Sequence, residues 1–233
     1  MTLIPSTLTR LAGVAAAAGG LIFMGVQINH PHTDITTIAS TEMVVRNTLK
    51  LLMATLVLVG ITGMYLRQTK QTGLLGLVGY FTFGLGYLLI VCTTFVSAYV
   101  LPALVDTDSA YVRDVLAAAT NGSAEGDIGA LSTVFQAQGF GYLAGGLLFG
   151  VALYRARILP RWAAALLAVS GPLSAALSVM PDPFYRMLAF PNAIAMVALG
   201  YSLWRGASHD ARVTPTSGPA MPQATPVSPA DAA

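Results

Sequence analysis

Glu42, Arg46 and Lys50 have the residue types and the spacing of a charged stripe on one helix face. They are four residues apart, and residues at i and i+4 are neighbours on a helix, with the acid before the base in the favourable order. Charges within an apolar segment are costly in lipid and usually face the bundle interior. One interpretation is a structural ion pair with Lys50 extending to the surface. The other is a site in which Glu42 donates a proton and Arg46 positions the acid or a head group.

Asp182 is the second candidate acid. It precedes Pro183, and proline suits the first position of a helix, so a helix N-cap is one interpretation. Arg186 follows four residues later and would be able to pair with it. The catalytic interpretation requires burial, because a water-poor pocket raises the pKa of a carboxyl group until it holds a proton that it can donate.

Polar residues of other apolar segments are expected at a similar depth and predict a substrate-binding ring. Its members are Arg46, Asn47, Tyr99, Gln138, Tyr142 and Asn192. Aromatic residues are expected below the ring: Phe81, Phe83, Tyr87, Phe95, Phe140, Phe149 and Phe190. Aromatic faces stabilise cationic intermediates, although aromatics at helical spacing are also ordinary core residues. The pattern predicts a cavity that opens toward one face of the membrane.

His30, His32 and Asp34 have side chains that bind metals, and they are close in sequence. A metal site needs more ligands than these, and no other His or Cys is expected at this end of the chain. We therefore predict an interfacial turn here, no metal site and no cofactor.

The elements that must position these residues are membrane-spanning helices. Hydrophobic residues make up 55% of the 233 residues and charged residues only 9%, against about 25% charged in soluble domains. We predict an all-α integral membrane protein, multi-pass in the cell membrane, with its partners a lipophilic substrate and the bilayer. The net charge of +2 forms no basic patch, so no nucleic-acid partner is expected. The predicted spans of this six-helix bundle are about 11–28, 43–66, 74–101, 131–154, 162–180 and 183–204.

The distribution of charge predicts the orientation. With both chain ends in the cytoplasm, eight basic residues lie inside and four outside, which follows the positive-inside tendency. Eight of the ten acids lie outside. The first span could instead be a signal sequence, but its apolar run is longer than the usual 7–15 residues. The Pro-rich segment 207–233 is predicted to be a disordered cytoplasmic tail.

Two further patterns concern packing. Gly141, Gly145, Gly146 and Gly150 form two overlapping GxxxG patterns, which bring helices close together in lipid. The contact is expected within one chain, and a homo-oligomer or a ligand cleft are the alternatives. The segment from Asp108 to Ala119 predicts a short interfacial helix with Val112 and Val115 on one side.

Three stretches of the first half resemble a bacterial family of small integral membrane proteins, most of them uncharacterised. They are Gly19–Pro31, Gly60–Arg67 and Tyr99–Pro102. In size and helix count the chain is also broadly similar to the membrane-bound terpene cyclases of meroterpenoid pathways, whose fungal members have seven helices. Those enzymes are thought to protonate an alkene or epoxide with a membrane-embedded acid. Their acidic residues do not align with this chain.

The leading hypothesis is therefore a membrane-embedded enzyme that acts on a lipophilic small molecule, by acid-initiated cyclisation of a prenyl or terpenoid chain. Glu42 or Asp182 would be the proton donor. The alternative is a transport, immunity or accessory protein without catalysis, including an interaction subunit whose acidic loop binds a partner.

Overall fold

The protein is all-helical: among the residues that its structure describes, the regular secondary structure consists of helices. This computed structural model describes residues 6–120, 122–176 and 189–213, and these ranges contain seven helices and no strand. The helices are α1 (Ser6–Gln27), α2 (Thr41–Arg67), α3 (Thr69–Leu104), α4 (Ser109–Ala119), α5 (Leu131–Ala156), α6 (Arg161–Ala176) and α7 (Ala189–Val213). Four of the described helices, α1, α2, α3 and α5, are long and apolar enough to cross a membrane.

Local sequence explains several helix boundaries. The hydroxyl of Ser40 accepts a hydrogen bond from the Met43 amide at 3.2 Å and caps α2. Asp108 caps α4 in the same way through the Tyr111 amide. Gly73 has a positive φ of 57° inside α3, which glycine adopts without strain, so the regular helix starts at Leu74 as predicted. Arg157 ends α5 in a left-handed conformation.

The six long helices form a closed ring in which each one packs against its neighbours. The order around the ring is α1, α2, α3, α5, α6 and α7, and α7 packs against α1. Where paired contacts are described, neighbouring helices run in opposite directions. For example, Gly79 and Gly86 of α3 face Phe149 and Gly141 of α5. The chain is therefore an up-and-down bundle.

Glycines allow these helices to approach each other closely. A Cβ atom at Gly141 would lie 2.8 Å from Gly86 Cα, and one at Gly150 would lie 2.5 Å from the Ala168 backbone nitrogen. Gly145 faces the backbone of Phe83. The GxxxG faces of α5 thus pack against α3 and α6 of the same chain.

An apolar core separate from the one between the long helices covers one end of the bundle. It contains Ile38, Met43, Leu101, Val112, Val115, Leu116 and Ile128. The short helix that the sequence predicts here is present as α4, with Val112 and Val115 almost fully buried. Asp114 orders the following loop, because its carboxylate accepts hydrogen bonds from the amides of Glu125 at 2.9 Å and Gly126 at 3.2 Å.

Charge divides the two ends of the bundle. We call the end that carries Asp34, Glu42 and Asp114 the acidic end, and the end that carries Arg67 and Arg205 the basic end. All acidic residues whose side chains are described lie at the acidic end: Asp34, Glu42, Asp106, Asp108, Asp114, Glu125 and Asp127.

The last two predicted spans are described only in part. The described part of α6 runs to Ala176, and that of α7 runs from Ala189 to Val213, beyond the predicted end near Trp204. Pro172 lies inside α6, which continues through it as one helix instead of breaking at Gly171-Pro172. Pro191 is the third residue of the described part of α7. Residues 177–188 and 214–233 lie outside the described residues.

Candidate functional site

Arg46 connects two helices at the acidic end. Its guanidinium donates hydrogen bonds to the carbonyl oxygens of Val26 at 3.2 Å, Ile28 at 3.0 Å and Asn29 at 3.2 Å. These carbonyls belong to the end of α1, where backbone oxygens lack helical partners and a positive charge is favoured. Asn29 reverses the chain there with a φ of 49°. Arg46 therefore joins the start of α2 to the end of α1.

Glu42 lies on the exposed side of this arrangement. Its carboxylate is 2.9 Å from Arg46 NH2 and accepts a hydrogen bond from Arg46 Nε at 3.0 Å. Its side chain is 58% exposed, whereas that of Arg46 is 18% exposed. The i,i+4 pairing predicted from the sequence is present. The geometry gives Glu42 a role in holding Arg46.

Lys50 continues the stripe and contacts the turn after α1. Its ammonium nitrogen is 2.7 Å from His30 Nε2, and His30 Nδ1 is 2.7 Å from the Pro31 carbonyl oxygen. An ammonium group donates and a carbonyl accepts, so a neutral imidazole with its proton on Nδ1 satisfies both contacts. His30 is thus a partner of Lys50 in this structure.

Asp34 organises the same turn. It accepts hydrogen bonds from the Thr36 hydroxyl at 2.6 Å, from the Thr36 amide at 2.8 Å and from the Thr37 amide at 3.0 Å. These bonds, the hydroxyl of Thr36 first, hold the pKa of Asp34 below its usual value. Among the described residues no three His, Cys, Asp or Glu side chains are placed to hold a metal ion.

The polar residues of α2, α3 and α5 meet near the acidic end in a second group, which we call the hydroxyl–amide cluster. Its members are Asn47, Thr48, Thr93, Ser97, Tyr99 and Gln138. Residues Val96–Val100 form a π-helical turn inside α3, and such turns often occur at functional sites. Asn47 Nδ2 donates to the Ser97 carbonyl at 3.4 Å, and the hydroxyls of Thr48 and Tyr99 are 3.0 Å apart. The turn thus places α3 backbone and side-chain groups against α2.

Gln138 joins the cluster from α5. Its Oε1 lies 2.6 Å from Thr93 Oγ1, and the same hydroxyl lies 3.0 Å from the Leu89 carbonyl. A hydroxyl carries a single proton, so Thr93 can donate to only one of these oxygens at a time. Thr93 is buried, whereas Gln138 is partly exposed. Gln138 is therefore the member of this pair that could exchange its bond for one to a ligand.

A third polar contact crosses the centre of the bundle. Tyr87 of α3 donates a hydrogen bond to Asn192 Oδ1 of α7 at 3.4 Å, and Asn192 Nδ2 lies 3.5 Å from the Ser170 hydroxyl of α6. All three residues are buried. Tyr142 packs against Tyr87 with ring centroids 5.9 Å apart. Because Tyr87, Ser170 and Asn192 are far apart in sequence, no sequence pattern indicated this contact.

The predicted aromatic lining divides into two groups. Phe83, Tyr87 and Phe149 are fully buried and pack on one another, with Phe83 and Tyr87 edge to face at 5.0 Å. Phe81, Phe95 and Phe140 are at least half exposed, at 64%, 50% and 69%. Phe190 is partly buried. The first group is a packed core and the second lies on the surface of the bundle, so the seven aromatics do not line one common cavity.

The predicted site residues therefore fall into separate groups. Glu42 and Arg46 bind each other, while Asn47, Tyr99 and Gln138 belong to the hydroxyl–amide cluster. Tyr142 and Asn192 contact Tyr87 in the core. Asp182, the other proposed acid, and Arg186 lie outside the described residues. Sequence reasoning missed Ser170 as a hydrogen-bond partner, because serine is also a common packing residue in membrane helices.

The chain matches no protein-family model, no curated protein and no solved structure.

Proposed function

We propose that the chain crosses the cell membrane six times, with the basic end in the cytoplasm. The antiparallel packing of neighbouring helices supports this topology, because it alternates the direction of successive spans. The exposed aromatics Trp162 and Tyr201 at the basic end support it as well, since such rings are enriched at the membrane interface. Cysteine introduced in place of Ser123 or Arg157 and labelled from one side of intact cells would test the orientation. Labelling of both positions from the same side would contradict it.

We further propose that the protein is a membrane-embedded enzyme that acts on a lipophilic small molecule. The observation that carries this proposal is the hydroxyl–amide cluster at the π-helical turn of α3. It would supply hydroxyl and amide groups to a head group. The exposed Phe95 ring lies 5.2 Å from the Tyr99 ring of the cluster and offers apolar contact to a chain. A ligand with one polar end and an apolar body fits this arrangement.

The proposed reaction is acid-initiated cyclisation of a prenyl or terpenoid chain. An acid adds its proton to an alkene carbon or epoxide oxygen, further double bonds of the same chain attack the cation, and loss of a proton ends the reaction. The net change is an isomerisation that needs no cofactor. Asp182 is the stronger candidate acid, because Glu42 is exposed and bound by Arg46.

The experiment is an incubation of membranes that contain the protein with farnesylated and other prenylated substrates. Product formation that is lost in Asp182→Asn and kept in Glu125→Gln, a control at an exposed acid, would support the proposal. Glu42→Gln separates the two acids, since its turnover should remain if Glu42 only holds Arg46. Unchanged turnover in both acid variants would remove the proposed proton donors, and absence of any product would remove the reaction.

A transport, immunity or accessory role without catalysis is the second candidate. The packed aromatic core and the ion pair of Glu42 favour it, because the aromatic residues fill the space between the helices and Glu42 is bound to Arg46. Deletion of the protein that alters export of a lipophilic compound, with no new product in membranes, would support this role. A homo-oligomer through the GxxxG faces would compete with α3 and α6, which already cover those faces.

A further inference from the structure

A cavity at the basic end has the chemistry of an anion-binding site, and it lies away from the proposed active site. Its volume is about 300 Å³. It lies where the end of α2 and the last turns of α7 meet the connection between α5 and α6. The lining residues are Arg67, Ile158, Leu159, Ser202, Arg205 and Gly206. Two guanidinium groups and a hydroxyl thus share one concave surface with two aliphatic side chains.

Arg67 and Arg205 reach this surface from different helices. Arg67 is the last residue of α2, and its NH2 atom would be 3.5 Å from a Cβ atom at Gly206. The Arg67 guanidinium thus lies beside α7. Arg205 precedes this glycine and is exposed. Two planar guanidinium groups with several N–H donors each match the oxygen geometry of phosphate, which they bind in a bidentate manner.

The electrostatic surroundings favour an anion. Arg155, Arg157 and Arg161 lie at the same end, and no acidic residue whose side chain is described lies there. The Arg161 guanidinium stacks 4.2 Å above the Tyr154 ring. The field of these residues adds to that of Arg67 and Arg205 and attracts negative charge.

The apolar wall indicates that the anion has a hydrophobic body. Ile158 is 40% exposed beside the cavity, and Trp162 is 60% exposed one turn into α6. A free inorganic anion would gain nothing from contact with Ile158 and Leu159. An acyl chain would bury apolar surface there, and basic pockets between membrane helices suit lipid phosphates.

We propose that this cavity binds the phosphate group of an anionic phospholipid between Arg67 and Arg205, with an acyl chain leaving past Ile158. The Ser202 hydroxyl donates to a phosphate oxygen. The site is separate from the hydroxyl–amide cluster, so it stands whether or not the protein is an enzyme.

The test measures binding of phosphatidylglycerol and of phosphatidylcholine with the same chains to the purified full-length protein in detergent, by native mass spectrometry. We expect phosphatidylglycerol to bind preferentially and its Kd to rise about tenfold or more in Arg205→Gln and in Arg67→Gln, because each loses charged hydrogen bonds. Arg113→Gln, a control at the acidic end, should change the Kd less than about twofold. Arg205→Lys should bind with intermediate affinity, since it keeps the charge without the planar fork.

Three results would overturn the proposal. Equal affinity for the two lipids would show that the negative charge is not recognised. Unchanged binding in Arg205→Gln and Arg67→Gln would place the lipid elsewhere. Competition by inorganic phosphate as effective as that by phosphatidylglycerol would show that the ligand is a free anion rather than a lipid. Should Arg67→Gln fail to fold, the exposed Arg205 variants decide the outcome.

Discussion

Replacement of Gly86 by alanine tests the close contact between α3 and α5. A Cβ atom at Gly86 would lie 2.6 Å from the Gly141 carbonyl carbon and 2.6 Å from the Tyr142 amide nitrogen. Ordinary contact begins at 3.4 Å, so the helices would have to separate by about 0.8 Å at this point. Both neighbours are backbone atoms and cannot rotate away. Overpacking of this kind costs about 1–3 kcal/mol.

Gly84→Ala is the matched control, because it adds the same methyl group to the same helix two residues earlier. Nothing lies within 4 Å of a Cβ at Gly84. Alanine also favours a helix over glycine by about 0.5–1 kcal/mol, so the control should be neutral or stabilising. Unfolding in detergent micelles, followed by circular dichroism, should therefore show Gly86→Ala to be less stable than Gly84→Ala by about 1–3 kcal/mol. A difference below about 0.5 kcal/mol would refute the proposed packing of α3 on α5.

Five other substitutions have expected outcomes. Arg46→Gln should lower the free energy of unfolding by about 2–4 kcal/mol and speed amide hydrogen exchange at the end of α1. Glu42→Gln should lower the free energy of unfolding by less than about 1 kcal/mol. Equal losses in the two variants would contradict the carbonyl contacts of Arg46. Thr93→Val should cost about 1 kcal/mol in the same unfolding assay, and no loss would show that its hydroxyl bond is unimportant. Asp114→Asn should speed hydrogen exchange at the two loop amides that its carboxylate binds while the long helices keep their protection, and unchanged loop exchange would argue against those bonds. The pKa of Asp34 is lowered on folding. The stabilisation from its carboxylate is therefore present above the ordinary carboxyl pKa and is lost as pH falls through the lowered value. Asp34→Asn should be less stable than the wild type at pH 7 and equal to it in strong acid, and equal stability at both pH values would refute this.

The lengths of the apolar runs, and the residues that interrupt them, predicted most of the helices. The boundaries of α2 and α5 lie within two residues of the predicted ones, since a polar residue or a cap interrupts the apolar run there. The regular part of α3 starts after Gly73, because the backbone of Gly73 has non-helical dihedral angles. Val112 and Val115 are three residues apart, with polar residues between them, and this helical spacing predicted the buried face of α4.

The arrangement of the candidate site was less accessible from sequence. The i,i+4 pairing of Glu42 with Arg46 is local, so spacing was sufficient to predict it. The three carbonyl partners of Arg46 belong to a turn 17–20 residues away, and any helix end offers such oxygens. Gln138 meets Thr93 across 45 residues, which depends on the register of α5 against α3. Which aromatics are buried depends on the same register.

The contact between α1 and α7 has a consequence for biosynthesis. Gly13 and Gly20 of α1 pack on Gly200 and Ala193 of α7, and the Cβ position of Gly20 lies only 2.6 Å from the Ala193 carbonyl oxygen. The ribosome synthesises α1 long before α7, so this glycine face has no partner of its own chain while the intervening helices insert. A chain truncated ahead of α7 would leave this glycine face of α1 without the helix that covers it in the complete bundle.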